Sequence, residues 1–316
     1  MNYDDIIDIA DLDVIYLSYD EPQKEEFWLK VKNIVPWAKR VDGVKGSDAA
    51  HKAAAEASDT ERFILIDGDN LPDEKFFDLQ LDFRDKDPIY KIAQYRWKAT
   101  NVINGLRYGN GGISSWTKTY VREMKTHENS EGSTNSTVDF CLDSQNNVYW
   151  AMHDCYSTTY PNYTPFQAWR AGLREGVKMC LNRGIKPSVS EFKESVASRN
   201  LNNLTIWHNI GLDVNNGVYA IYGARLGTYM TMLTDWDHNE VQWFDNLLEL
   251  WKTHENKNAM HEADLLGVQL KEKLDLPMCA LNPDQSKFFK RHYLADKYNL
   301  GPLVREMDVI RKIEGW

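Results

Sequence analysis

"RFILIDGDNLPDEKFFD", residues 62–78, opens with an apolar, β-propensive run and then sets two acids, Asp67 and Asp69, on either side of Gly68. An apolar run of this length bounded by turn residues predicts a short buried strand. A strand that ends in D-x-D places two carboxylates on one side of a turn, where they can hold a hard divalent cation directly or through water. Such a cation can neutralise a diphosphate, and the small Gly68 lets backbone or ligand approach closely. Asp-Gly also builds plain turns, so the surrounding sequence has to choose between the two readings.

Upstream, "DVIYLSY" (residues 13–19) predicts a buried strand that runs into the acidic turn Asp20-Glu21-Pro22, and Glu25 to Ile34 predicts a helix. "AKRVDGV" supplies a shorter strand, and "GSDAAHKAAAEAS" an alanine-rich helix capped by Ser47 or Asp48. Strands alternating with helices over the first eighty or so residues predict an α/β fold with a mostly parallel sheet flanked by helices. Ligands of such sheets gather at the carboxyl ends of the strands, where Asp20 and Asp67 both fall. "YGNGGISSW" reads as short strand pieces around Gly-rich turns, and "HENSEGSTNSTV" (residues 127–138) as a polar loop. "TPFQAWRAGLREGVKMCLNRG" predicts an amphipathic helix stopped by Gly184. The remainder reads as mainly helical and rich in Trp, which divides the chain into a catalytic domain over 1–184 and a helical subdomain over 185–316.

Length and composition exclude less than the motif does. The 316 residues suffice for a large core, and 11 Trp and 16 Tyr suit either flat-ring recognition or bulky packing. A net charge of −10 repels polyanions at long range, so nucleic-acid contact would need a local basic surface. No apolar run is long enough for a membrane span, and the acidic N-terminus lacks the basic start of a secretory signal; both predict a cytoplasmic protein without membrane partners. Cys141, Cys155, Cys180 and Cys279 form no C-x-x-C pair and read as reduced thiols.

A phosphatase would also use D-x-D, the first Asp as covalent nucleophile and the second as acid and base. That chemistry wants the motif on the first strand and a later acidic cluster with Lys. Here the motif follows the third predicted strand, and the loosest later cluster is "DWDHNE" at 235–240.

The run "VDGVKGSDAAHKAAAEASDTERFILIDGDN" resembles family-2-like glycosyltransferases of the GT-A fold. There, a Gly-rich loop and a helix opening on an A-R-N-like tripeptide precede the apolar strand and D-x-D. Ala49-Ala50-His51 stands in that tripeptide's place, with Ala50 for Arg and His51 for Asn. Together with "NGLRYGNGGISSW" and "YPNYTPFQAWRAGLREGVKM", the run also resembles tailed-phage enzymes that glycosylate modified bases in DNA, including transfer of arabinose or glucose to 5-hydroxymethylcytosine. The resemblance spans about residues 13–184.

It implies a metal-dependent transfer of a sugar, arabinose or glucose in type, from a UDP-sugar to the hydroxymethyl group of modified cytosine in double-stranded phage DNA, with a glycan, lipid or protein acceptor, or a noncatalytic sugar-nucleotide-binding phage protein, as the alternatives. Asp20 would contact the nucleotide base or ribose, and Asp67 and Asp69 would carry Mn²⁺ or Mg²⁺ on the diphosphate, assisted by Lys45 and the Gly46 amide. His153 is the first choice for a third metal ligand, ahead of His208 and His238. Asp139, where the family carries its acceptor-side acids, is the first choice for the general base, and Asp154 the second. Other residues are read from their own pattern. Gly109, Gly111 and Gly112 suit a tight turn, and Trp116 could stack on a sugar. Arg170 and Arg174 share a helical face and either grip phosphates or pair with acids such as Glu175. "SKFFKRHYLADKYN" interleaves Lys287, Lys290 and Arg291 with aromatics, which fits a DNA-contacting surface or an ordinary helix with an aromatic core face.

Overall fold

The computed structural model describes residues 5–126, 149–293 and 309–312. In chain order the first part comprises β1 (Ile6–Asp8), β2 (Asp13–Ser18), α1 (Lys24–Ile34), β3 (Lys39–Asp42), α2 (Ser47–Ala57), β4 (Arg62–Asp67), β5 (Asn70–Pro72) and β6 (Leu79–Asp82). There follow α3 (Ile89–Ile92), β7 (Gln94–Asn101), β8 (Arg107–Thr117), α4 (Lys118–Glu123) and β9 (Tyr149–Thr159). The helical part holds α5 (Pro165–Lys178), α6 (Phe192–Ser195), α7 (Ser198–Asn209), α8 (Gly217–Leu233), α9 (Phe244–Lys252), α10 (Ala259–Leu274) and α11 (Pro283–His292), and β10 (Ile310–Lys312) closes the order.

The apolar runs that predicted strands are buried on both faces. Val14, Tyr16, Ile64 and Ile66 point into one core with Phe27 and Val31 of α1. Their neighbours Ile15, Phe63 and Leu65 point the other way, onto Ala54 and Ala55 of α2 and onto Trp116. Helices on both sides explain why these strands are continuously apolar rather than alternating.

Seven strands form one strongly curled sheet in the order β3-β2-β4-β8-β7-β9-β5. β2 pairs in parallel with β3 and β4, and β7 with β9, but β4-β8, β7-β8 and β5-β9 are antiparallel. The sheet is therefore mixed, not mostly parallel. The reason lies in "NGLRYGNGGISSW": only residues 102–106 turn, and β8 runs on through the glycines. So short a link between neighbouring strands makes a hairpin, which is antiparallel by construction. Gly112 serves packing inside that strand, because a Cβ there would lie 2.0 Å from the Asn70 side chain. A second, three-stranded sheet has the order β1-β6-β10, so β6 lies between the first and the last described strands of the chain.

Helix α5 starts where the sequence places it. Thr164 caps it, its hydroxyl accepting from the Gln167 amide at 3.1 Å, and Pro165 occupies the first turn. Its partner is α8, and the two backbones nearly touch. A Cβ on Gly172 would lie 1.9 Å from the Ala220 carbonyl oxygen and one on Gly176 2.2 Å from that of Ala224. In return, Gly223 and Gly227 of α8 sit under the Trp169 and Leu173 carbonyls. Arg170 and Arg174 are each two residues from a seam glycine, about 200° around the helix. The seam that clamps α5 on one side therefore turns both arginines outward on the other. Gly172→Ala, which in an open helix gains up to about 1 kcal/mol, should here cost about 1–3 kcal/mol. Urea denaturation checks this; equal or higher stability would contradict so close a seam.

Candidate functional site

The D-G-D turn lies where the parallel β2 and β4 end side by side, with Leu17 opposite Asp67. The buried Tyr16 hydroxyl donates to the Gly68 carbonyl at 2.8 Å and fixes the turn from below. Glu21 folds back over it, its carboxylate accepting from the Tyr19 amide at 2.7 Å. A Cβ on Gly68 would lie 2.7 Å from that carboxylate and 3.1 Å from the Leu17 carbonyl, so a side chain here would have to displace Glu21 from over the turn. Asp69 is held by Asn70 Nδ2 at 2.6 Å and by the Thr159 hydroxyl at 3.2 Å. Asp67 opens into a cleft and has no side-chain hydrogen bond or ion pair among the described residues.

The cleft encloses about 700 Å³. Its floor is the D-G-D turn with Arg96 and Ser114, register partners on β7 and β8. One side is the loop and first turn leading into α2, including Lys45, Gly46 and His51. The opposite side brings Arg170 and Arg174 from α5 and residues 242–245 from the start of α9. Arg170 lies over the Phe244 ring, 4.9 Å from its centroid, and near that of Phe166 at 5.9 Å. The rings fix the plane of its guanidinium. Among the described residues neither Arg170 nor Arg174 donates a hydrogen bond to protein or forms an ion pair, so their donors remain for a ligand.

Like charges lie side by side on each side of this space. Asp67 is pushed up to about 7, first by loss of hydration and then by the charges of Asp69 and Glu21, against the pull of Arg96. Asp69 is also raised, mainly by desolvation, opposed by its bonds from Asn70 and Thr159 and by the charge of Arg170. Glu21 moves the same way for the same first reason. Arg170 is lowered, by desolvation and then by the like charge of Arg174, against the pull of Asp20, Asp69 and Glu21. A pair of carboxylates in which the charge of Asp69 opposes ionisation of Asp67 fits a cation, and paired arginines fit an anion. Among the described residues no three His, Cys, Asp or Glu side chains converge as a metal-binding group. Asp67 and Asp69 could thus hold Mn²⁺ or Mg²⁺ only with oxygen ligands from water or from a bound phosphate, the usual situation for Mg²⁺ at phosphate sites.

Of the residues singled out in the sequence, Asp20, Lys45, Asp67, Asp69, Arg170 and Arg174 meet in this one cleft. Glu175 leaves the arginines alone and pairs instead with Lys178 at 2.9 Å. Trp116 does not reach the cleft. It is fully buried, its indole N–H donating to the Ser114 hydroxyl at 2.7 Å and its ring under Arg96 at 4.9 Å, so it supports the floor and cannot stack on a sugar. His153 and Asp154 also fail to line the cleft. They sit on β9 six and five residues before Thr159, the strand's contact with Asp69, on a stretch whose register against β7 is interrupted by bulges. His208 is a core residue bonded to Thr228 at 2.9 Å and held neutral by burial, its pKa lowered to about 3.

Asp139 lies outside the described residues. On α11, Lys287 and Arg291 are exposed, but Lys290 is a structural clamp: it pairs with Asp213 at 2.7 Å and donates to the Val102 and Ile103 carbonyls at 3.3 Å. The acids of "DWDHNE" do not line the cleft, whereas the residues just after them do. Glu21, Arg96, Trp243, Phe244 and Asp245 are cleft residues that the sequence reading did not select.

No family model matches the chain, and neither a curated protein nor a solved structure matches it at a meaningful level.

The raised pKa of Asp67 has a consequence for stability without metal. The folded chain holds this proton more tightly than the unfolded one, whose carboxyl titrates near 3.8. Stability from this group is full below that value, declines as pH rises, and is gone once pH passes about 7. Asp67→Asn should therefore raise the melting temperature more at pH 8 than at pH 4 in metal-free buffer. An equal effect at the two pH values would contradict the assignment.

Proposed function

We propose that the protein is a metal-dependent glycosyltransferase of the GT-A type that takes its sugar from a nucleoside diphosphate donor, a UDP-sugar. The observation that carries this reading is the cleft in which two mutually repelling carboxylates face two mutually repelling arginines. A divalent cation with a diphosphate satisfies both pairs at once, and neither alone does. The placement of the acids at the carboxyl ends of β2 and β4, beside the antiparallel β8, supports the GT-A assignment.

In this reading Asp67 and Asp69 hold Mn²⁺ or Mg²⁺, which when bound supplies Lewis-acid stabilisation of the departing diphosphate. Arg170 and Arg174 take phosphate oxygens, with Arg170 already oriented by Phe244. Asp20 stands at the end of β2 for the ribose or base, and Lys45 for a phosphate. Asp139 is the general base that accepts the proton of the acceptor hydroxyl as that oxygen attacks the anomeric carbon.

The acceptor is the hydroxymethyl group of modified cytosine in double-stranded phage DNA, an assignment supported by the sequence resemblance. The ion pair of Lys290 with Asp213 removes a positive charge from the proposed DNA-facing stretch and favours, as a second reading, a neutral glycan acceptor. Mass spectrometry of nucleosides from hydroxymethylated DNA, treated with the protein, Mn²⁺ and a panel of UDP-sugars, tests donor and acceptor together. Glycosylated nucleoside should form with at least one donor and disappear in Asp69→Asn, while Arg174→Ala should lose roughly tenfold to a hundredfold in rate. Transfer to oligosaccharide but not DNA would select the second reading. Neither transfer nor hydrolysis of any UDP-sugar would end the proposal.

A further inference from the structure

The mouth of the cleft is bridged by two contacts between segments some two hundred residues apart. Lys45 Nζ pairs with Asp245 Oδ2 at 3.0 Å, and the Tyr19 ring meets that of Phe244 edge-on at 6.4 Å. The two sides of the ion pair differ in their support. Asp245 sits in the first turn of α9, directly after Phe244, which is wedged between Phe166, Arg170 and Tyr19. Lys45 sits on the short link from β3 to α2, between Gly43 at φ 75° and Gly46 at φ 95°. Nothing lies within 4 Å of a Cβ built on Gly43, so its left-handed backbone, rather than crowding, calls for glycine. A glycine-bounded strap thus carries a cation across to a carboxylate on a fixed wall.

Asp245 is an anion of the chain itself, placed on the same wall of the cleft that offers Arg170 and Arg174 to a ligand. Both members of its pair are largely solvent-exposed, 72% for Lys45 and 67% for Asp245, and exposed pairs of this kind are weak enough to exchange partners.

We propose that the Gly43–Gly46 strap has two positions: Lys45 rests on Asp245 in the empty cleft and passes to a phosphate of the bound ligand, with Asp245 as the competitor that takes it back on release. The proposal rests on the diphosphate reading of the same cleft and adds to it an internal rival for the ligand. Asp245 therefore weakens binding of a diphosphate and speeds its departure after transfer. A nucleoside without phosphate cannot draw Lys45 away, because it has no charge to exchange for the carboxylate.

The test uses inorganic pyrophosphate with Mn²⁺ as the probe on wild type, Asp245→Asn, Lys45→Met and the double variant. Asp245→Asn should tighten pyrophosphate binding about twofold to fivefold, chiefly through slower dissociation. Lys45→Met should weaken binding, and in its background Asp245→Asn should bring no gain. The same gain with and without Lys45 would mean that Asp245 acts only as a distant charge, and no gain in either background would remove its role; each overturns the proposal. Hydrogen exchange of the amides at 43–47 without ligand is the second arm. It should quicken in Asp245→Asn, and unchanged exchange overturns the strap whether or not pyrophosphate binds. A wild type that binds no pyrophosphate counts against the diphosphate reading, and the exchange arm then judges the strap alone.

Discussion

The backbone contact between α5 and α8 is the constraint on which the cleft depends. Glycines at 172, 176, 223 and 227 let carbonyls of each helix enter the space where the other would carry side chains. That contact fixes the height and rotation of α5, and with them the positions of Arg170 and Arg174. Two arginines one turn apart repel each other, and in an unanchored helix they would splay into water. Here Arg170 is also pressed against Phe244, so its charge stays in the cleft opposite the D-G-D turn.

The sheet supplies the other half by a different device. β2 and β4 are driven together by apolar residues on both faces, and their ends bring Asp20, Glu21, Asp67 and Asp69 to one edge whatever the electrostatic cost. Tyr16 fixes the turn from below, and Glu21 lies over Gly68 within it. The burden shows in the raised pKa of Asp67 and the upward displacement of Asp69 and Glu21. Charge concentrated against the preference of the fold is what a site for a charged ligand requires, because the ligand repays the repulsion when it binds. The glycosyltransferase reading places a metal and a diphosphate in that role.

Local patterns with a single physical cause were legible in the sequence. The strands β2 and β4 follow from apolar runs ending in acids, and α5 from its amphipathic pattern, although it ends at Lys178, before the Gly184 that was read as its stop. Six of the selected residues share the cleft because each sits at the end of a strand, in a glycine loop or on one helical face. What failed were inferences that needed partners distant in sequence. The glycines of β8 read as a turn because nothing local reveals that Asn70 fills the space over Gly112. Trp116 looked like a stacking platform until its place beneath Arg96 was known, and Lys290 like a surface base until Asp213 paired with it. Trp243, Phe244 and Asp245 reach the cleft through the packing of a helix whose sequence has no motif. Arg96 carries no local signal either: its register with Ser114 across β7 and β8 is what brings it to the cleft floor with Asp67.

The central claim is that the two like-charged pairs form one site, in which cation and diphosphate each complete the binding surface of the other. Titration calorimetry of UDP with and without Mn²⁺ at neutral pH addresses it most directly. The account predicts strong mutual dependence: Mn²⁺ tightens UDP about tenfold or more, and UDP tightens Mn²⁺ by the same factor, as linkage demands. UDP binding with the same affinity in the presence and absence of divalent metal would contradict it.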